Sequence, residues 1–214
     1  MLIVACLVIA YLLGSLSGSL LLGRLTGVDI RRSGSGNAGG TNAFRTRGWR
    51  FALGVVVVDV GKGALAACVP AWLGAVDPCL PCVQAGCVLV AASGHTWPIF
   101  FGFRGGKGAA VLLGGLAALW PSALIVVISV WLLVLVLSGY VGLATMLATC
   151  ALVPWAMVQD GANVDLQLAF ALAASAFIVF THRANVRRLW AGNEHRFERV
   201  RLFARRRGRT SGSE

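Results

Sequence analysis

The strongest constraint in this sequence is where its charge is missing. Six stretches are almost wholly apolar: Leu2–Leu22, Phe51–Leu73, Val83–Phe100, Ala109–Leu137, Gly139–Val158 and Leu166–Phe180. Of the 19 basic residues, six lie between Arg24 and Arg50, two are Arg104 and Lys107, and ten lie between Arg183 and Arg209. Only Lys62 stands apart, inside an apolar stretch with Asp59. The chain is 57% hydrophobic and 13% charged, whereas soluble domains carry about 25% charged residues. Segments of this length and polarity fit a bilayer, which needs about 20 apolar residues per helical crossing. The net charge of +11 suggests nucleic acid at first sight, but its division into three blocks is a topology signal, and no nucleic-acid partner is expected.

The basic blocks are expected on the cytoplasmic side. The N-terminus is then outside and the C-terminus cytoplasmic. No Lys or Arg precedes Arg24, so the positive region of a signal peptide is missing and the first apolar run is expected to stay as a span. The chain is inside at Lys107 and again at Arg183, so an even number of crossings lies between them. Splitting Ala109–Leu137 at Trp120-Pro121 satisfies this. The expected fold is an all-α integral membrane protein of seven transmembrane helices, with five as the alternative. The piece Ala109–Leu119 would be only about 16 Å long, so it must pack inside protein or in thinned membrane. Residues 1–182 form the membrane domain. Residues 183–214 form a basic C-terminal segment, of which 183–194 belong to the site and 200–214 are expected to be flexible.

Three segments on that side carry candidate chemistry. Gly34-Ser35-Gly36-Asn37-Ala38-Gly39-Gly40-Thr41-Asn42 contains a literal GxGxxG. A basic turn precedes it where a dinucleotide fold needs a strand, so that reading is set aside. Such a loop can still cradle phosphate through backbone N–H groups, with Arg45 and Arg47 supplying charge; the bland alternative is a flexible linker. Gly94-His95-Thr96-Trp97-Pro98 leads to Gly105-Gly106-Lys107-Gly108, where glycines let an ammonium and amides converge on an anion. No Ser or Thr follows Lys107 directly, so this is not a Walker loop. The third segment holds His182, Asn185, Arg188, Asn193 and Glu194, and a helix terminus under the inside rule explains its cations but not its polar set. Asp59 and Lys62 stand three apart on one helix face and can pair; ionisable groups in a span are functional candidates. The six cysteines show no zinc spacing with His, and no metal or cofactor is expected. Cys79 and Cys82 form a CxxC that a redox enzyme could use, although two small residues near a helix end explain it as well.

Along essentially the whole chain these segments resemble the bacterial glycerol-3-phosphate acyltransferases that use acyl phosphate, the PlsY family. The resemblance is carried by Gly34–Asn42 with Arg45, Gly94-His95 through Pro98 to Gly105–Ala109, the group His182, Asn185, Arg188, Leu189, Gly192 and Glu194, and the Asp59/Lys62-Gly63 pair. Gly40, Val111 and Asn193 depart from the residues usual there, and none of these changes removes a charge. The resemblance implies transfer of an acyl group from acyl phosphate to the 1-position of sn-glycerol 3-phosphate, the first step of phospholipid synthesis. It also implies a multi-pass protein of the bacterial inner membrane, with its site facing the cytoplasm. Ser35, Lys107, His95 and Asn185 are the catalytic candidates. Gly36, Asn37, Gly39, Thr41, Asn42, Arg45, Lys62, Gly105, Gly106, Gly108, His182, Arg188 and Glu194 are the substrate- and phosphate-binding candidates. The partners are acyl phosphate, glycerol 3-phosphate and membrane phospholipid, and a monomer is expected. The His-to-Asp dyad of other acyltransferases is absent: five positions after His95, His182 and His195 stand Phe100, Arg187 and Val200. An organic-phosphate transporter is the competing class, but it would place its polar groups near the membrane midplane in repeated halves.

Overall fold

The computed structural model describes residues 1–75, 80–161 and 163–198. Among these residues every regular element is a helix: α1 (Leu2–Ser15), α2 (Gly18–Leu25), α3 (Gly40–Arg47), α4 (Trp49–Trp72), α5 (Leu80–Thr96), α6 (Ala109–Leu119), α7 (Pro121–Ser138), α8 (Val141–Cys150), α9 (Leu152–Met157), α10 (Val164–Thr181) and α11 (Arg183–Trp190). Single turns of 3-10 helix lie at Ile30–Arg32 and Ile99–Phe101.

Helices α4, α7 and α10 are long and apolar enough to cross a membrane, and α1 with α2 makes a fourth if the bent pair counts as one. Ala109–Leu119 and Val141–Met157 are shorter apolar helices. Seven crossings therefore require α5, α6 and the α8–α9 unit to cross as short helices. The expected split of Ala109–Leu137 is present. Trp120 leaves helical geometry (φ −141°, ψ 76°) and Pro121 opens α7, at a position where its missing N–H removes no helical bond. The first apolar run is not one straight span. It breaks at Leu16-Ser17, and the two pieces meet at 48°.

Hydrophobic pressure cannot hold helices together where lipid is as apolar as their side chains, so close approach through small residues must do so. Two interfaces show this. Between α1 and α5, a Cβ on Gly14 would overlap the Ala91 carbonyl and one on Gly94 would overlap the Tyr11 carbonyl. Between α4 and α6, Gly63 meets the Val111 carbonyl and Gly114 meets that of Val60. The buried core, including Val88, Ala91, Ala92, Val111 and Leu112, lies among these helices. Helix α7 is the opposite case: Ala123 is its one buried residue among those described.

The basic segments expected as loops hold short helices, α3 and α11. Cys82 lies exposed in α5, while Cys79, the Asp77 loop and the Arg-rich tail fall outside the described residues. These contacts predict that Gly114→Ala lowers the yield of monodisperse protein in detergent size-exclusion chromatography, because its new methyl meets backbone. Gly61→Ala, with open space at its Cβ, should leave the yield unchanged.

Candidate active site

The break between α1 and α2 leaves polar backbone without helical partners in an apolar setting, where each unsatisfied group costs several kcal/mol. The Asp59/Lys62 pair satisfies it. Lys62 Nζ donates to the carbonyls of Gly14 (2.9 Å) and Leu16 (3.0 Å) and lies 2.9 Å from Asp59 Oδ1. Asp59 Oδ1 accepts from the N–H of Gly18 at 3.0 Å. Lys62 Nζ is also 2.9 Å from His95 Nδ1, and the Asp59, Lys62 and His95 side chains are all buried. Lys62, expected among the phosphate ligands, is thus turned into the bundle with its donors committed to carbonyls, Asp59 and His95.

His95 carries this arrangement to the surface loop. A Cβ on Gly106 would overlap its ring, and Gly106 donates to its carbonyl at 3.0 Å. Gly105 donates to the Thr96 carbonyl at 3.1 Å, and Ala38 donates to the Gly105 carbonyl at 3.4 Å. The imidazole expected to touch substrate lies under this loop, with one ring nitrogen against Lys62. The first glycine-rich segment packs on the same loop. Its brace is Asn42, fully buried, whose Nδ2 donates to the carbonyls of Ile30 (3.1 Å) and Ser33 (3.0 Å) and whose Oδ1 accepts from the Ser35 N–H (2.9 Å). Asn42 therefore shapes the loop with the very atoms that were expected to meet substrate. Gly34 and Gly36 have φ of 60° and 72°, a left-handed geometry natural to glycine. Ser35 and Gly36 are left exposed, and Asn37, Gly39 and Thr41 are partly exposed.

The third segment supplies the charged part of the site. Lys107 Nζ donates to Asn185 Oδ1. Asn185 Nδ2 donates to Glu194 Oε1 at 3.0 Å, and Arg188 Nε donates to Glu194 Oε2 at 2.6 Å. Thr181 Oγ1 donates to the Lys107 carbonyl at 3.1 Å. Arg45 comes from α3, with its guanidinium 4.8 Å above the Phe197 ring. Its buried Nε has no acceptor among the described residues. Gly108 (φ 85°) caps α6 where a Cβ would press on the Phe177 ring, and Gly142 leaves the space that Asn185 fills. Thr181, Gly142 and Phe197 are site residues that the sequence reading missed. Thr181 could have been found as the hydroxyl beside His182; nothing in the sequence singles out the other two.

The cluster holds three cations, Lys107, Arg188 and Arg45, around one carboxylate, Glu194. Burial, then the Arg188 and Arg45 charges, bring the Lys107 ammonium down to about 8, against the pull of Glu194. Burial and the Lys107 charge bring His182 down to about 4. Its ring is therefore neutral at pH 7, and with Nδ1 donating to the Ile178 carbonyl (2.8 Å) its Nε2 is an acceptor. Burial also lowers Arg45. Excess positive charge, half withdrawn from water and holding an unused donor, can hold an anion.

The buried pair predicts a stability pattern. Lys62→Met strands the Asp59 charge, a loss of about 3–5 kcal/mol for breaking such a pair, read as a lower Tm in detergent. Adding Asp59→Leu should not restore the wild-type Tm, because the carbonyls of Gly14 and Leu16 still lack a donor. Full recovery in the double variant would reduce the cluster to a plain ion pair.

The family model described as "Glycerol-3-phosphate acyltransferase" matches residues 4–192. A glycerol-3-phosphate acyltransferase of Pseudomonas paraeruginosa is 43% identical over 193 residues, covering 89% of this chain and 97% of that protein. One from Chlorobaculum parvum is 37% identical over 224 residues, covering 90% and 95%. The crystal structure of PlsY (YgiH), an integral membrane glycerol 3-phosphate acyltransferase, in its glycerol 3-phosphate form, superposes with a TM-score of 0.82 at 35% identity, covering 91% of this chain and 95% of that one. Its lysophosphatidic acid form gives a TM-score of 0.80. The chain belongs to the PlsY family of integral membrane glycerol-3-phosphate acyltransferases.

Proposed function

We propose that the protein transfers a fatty acyl group from acyl phosphate to the 1-hydroxyl of sn-glycerol 3-phosphate, giving lysophosphatidic acid and inorganic phosphate. The observation that carries the reading is the cluster of Lys107, Arg188 and Arg45, with its unpartnered Arg45 Nε. Both substrates are phosphate anions, and the cluster has the matching excess charge. The solved relatives in glycerol 3-phosphate and lysophosphatidic acid forms agree with the acceptor and the product. Acyl phosphate is a mixed anhydride with a good leaving group, so the demand falls on juxtaposing two anions and stabilising an oxyanion.

The roles follow from position. Arg45, Arg188 and the exposed Ser35–Thr41 amides and hydroxyls hold phosphate. Lys107 and the amides of Gly105–Gly108 meet the acyl-phosphate group and its developing oxyanion. Asn185 and Glu194 orient Lys107 and Arg188, and the Nε2 of neutral His182 accepts a hydrogen bond from a glycerol hydroxyl. The hydroxyl oxygen bonds to the acyl carbon, the bond from that carbon to the phosphate oxygen breaks, and the hydroxyl proton leaves on phosphate. His95 and Lys62 act from beneath the loop. We place the site on the cytoplasmic face of the bacterial inner membrane, with seven crossings and the N-terminus outside, on the strength of the three basic blocks.

Donor choice tests this reading. Purified protein should release phosphate from palmitoyl phosphate only when glycerol 3-phosphate is present, and should be inactive with palmitoyl-CoA; a comparable rate with the thioester would reject it. Lys107→Ala should lower turnover about a hundred- to a thousand-fold, the loss typical of one oxyanion donor. Lys107→Arg should lose most activity too, because a planar fork replaces a compact ammonium between glycines. Near wild-type turnover in Lys107→Ala would remove the lysine from the site.

The pH profile checks the same residue. A lysine lowered to about 8 is charged below that pH and neutral above it. The rate constant kcat/KM should therefore fall on the alkaline side near pH 8. That limb should vanish from the residual activity of Lys107→Ala.

A further inference from the structure

A cleft of about 480 Å3 opens beside the end of α2, lined by Leu20, Gly23, Arg24, Val28, Phe100 and Phe101 among others, and by no member of the Lys107 cluster. Its charges are unevenly used. Asp29 and Arg31 also line it, but they cancel. Arg31 Nη2 is 2.9 Å from Asp29 Oδ2 and its Nε is 3.0 Å from Oδ1. These bonds pull the Asp29 carboxyl down to about 2 against its burial. The remaining Arg31 nitrogen, Nη1, donates to the carbonyls of Phe101 (2.9 Å) and Arg104 (3.1 Å).

Arg24 is different. Its guanidinium lies 4.4 Å above the Phe101 ring and makes one long bond, from Nη2 to the Phe100 carbonyl at 3.4 Å. Among the described residues its other N–H groups have no acceptor. The cleft thus presents one cation with free donors, a cancelled carboxylate and apolar walls. Phe100 of the lining, and Leu25, Ile99 and Phe103 beside it in the chain, are exposed.

We propose that this cleft binds an anionic phospholipid of the surrounding bilayer, with the phosphate on Arg24 and the upper acyl chain against the apolar rim. Free phosphate would leave Leu20, Val28 and the Phe100 edge unused. A zwitterionic lipid would bring an ammonium to a cleft whose one carboxylate among the described residues, Asp29, is already paired. The same connection that carries Phe100 and Phe101 continues into Gly105–Lys107, so a lipid here also buttresses the active-site loop.

Native mass spectrometry of the full chain in detergent, titrated with phosphatidylglycerol or phosphatidylcholine, tests this. The wild type should take up one phosphatidylglycerol with at least about tenfold preference. Arg24→Gln should weaken that binding about ten- to a hundred-fold, the range for losing hydrogen bonds to a charged group. Val28→Trp, which fills the cleft and keeps Arg24, should lose the adduct as well. Arg187→Gln, an exposed cation elsewhere, should retain it. Equal uptake of the two lipids, or unchanged uptake in both Arg24→Gln and Val28→Trp, would overturn the proposal. Displacement of the lipid by an equal concentration of inorganic phosphate would overturn it too, since the site would then be one for a soluble anion.

Discussion

The ammonium of Lys62 is the group on which the rest of the structure depends. A helix that breaks inside an apolar bundle leaves carbonyls that lipid cannot satisfy. Lys62 takes two of them, Asp59 takes the N–H on the far side of the break, and the two charges neutralise one another. Either residue alone would leave an unpaired buried charge, which is costly in an apolar bundle. Together they convert a defect in α1 into a rigid corner. Because His95 sits against the same ammonium and under Gly106, the corner also sets the height of the loop that presents Lys107. Two lysines thus stand in opposite settings: Lys62 is sealed in among carbonyls and Asp59, and Lys107 lies in the cationic cluster with Asn185.

Glycine serves a second constraint. Helices α1 and α5, and α4 and α6, approach backbone to backbone, and that proximity lets short side chains reach across from one helix to another. A Cβ at Gly14 would push α1 from α5, and the Gly14 carbonyl would move with it. The packing of the bundle and the geometry of the polar corner are therefore one problem, solved by the same residues.

Much of this was legible in the sequence. Blocks of charge marked the end of the molecule where the Lys107, Arg188 and Arg45 cluster gathers, the i, i+3 spacing paired Asp59 with Lys62, and Trp120-Pro121 marked a helix boundary. Other features were not legible, for a common reason: a sequence shows which donors a residue owns but not where they are used. Asn42 and Lys62 are as polar as any ligand, yet their partners lie 12 and 48 residues away and only the fold reveals them. Arg24 and Arg31 both look like ordinary members of a basic block. One is fully engaged and the other is not, and this depends on the carbonyls of a distant loop. The helices α3 and α11 escaped notice because they are short and basic, eight residues each, a length at which a helix depends on packing against its surroundings. Gly142 and Phe197 matter only through what stands beside them.

Helix α7 shows the reverse of such specificity. With one buried residue among those described, it leaves Ile125, Ile128, Leu132, Leu133 and Leu137 exposed along one face toward whatever surrounds the protein. Acyl chains are fluid and fit any apolar shape, so they select for hydropathy and impose no jigsaw. Leu, Ile, Val and Phe should be interchangeable there in evolution, and the stretch should drift freely while staying greasy. The four glycine contacts hold to a single residue type. Substitution tolerance along this chain should therefore map distance from the polar corner better than it maps apolarity.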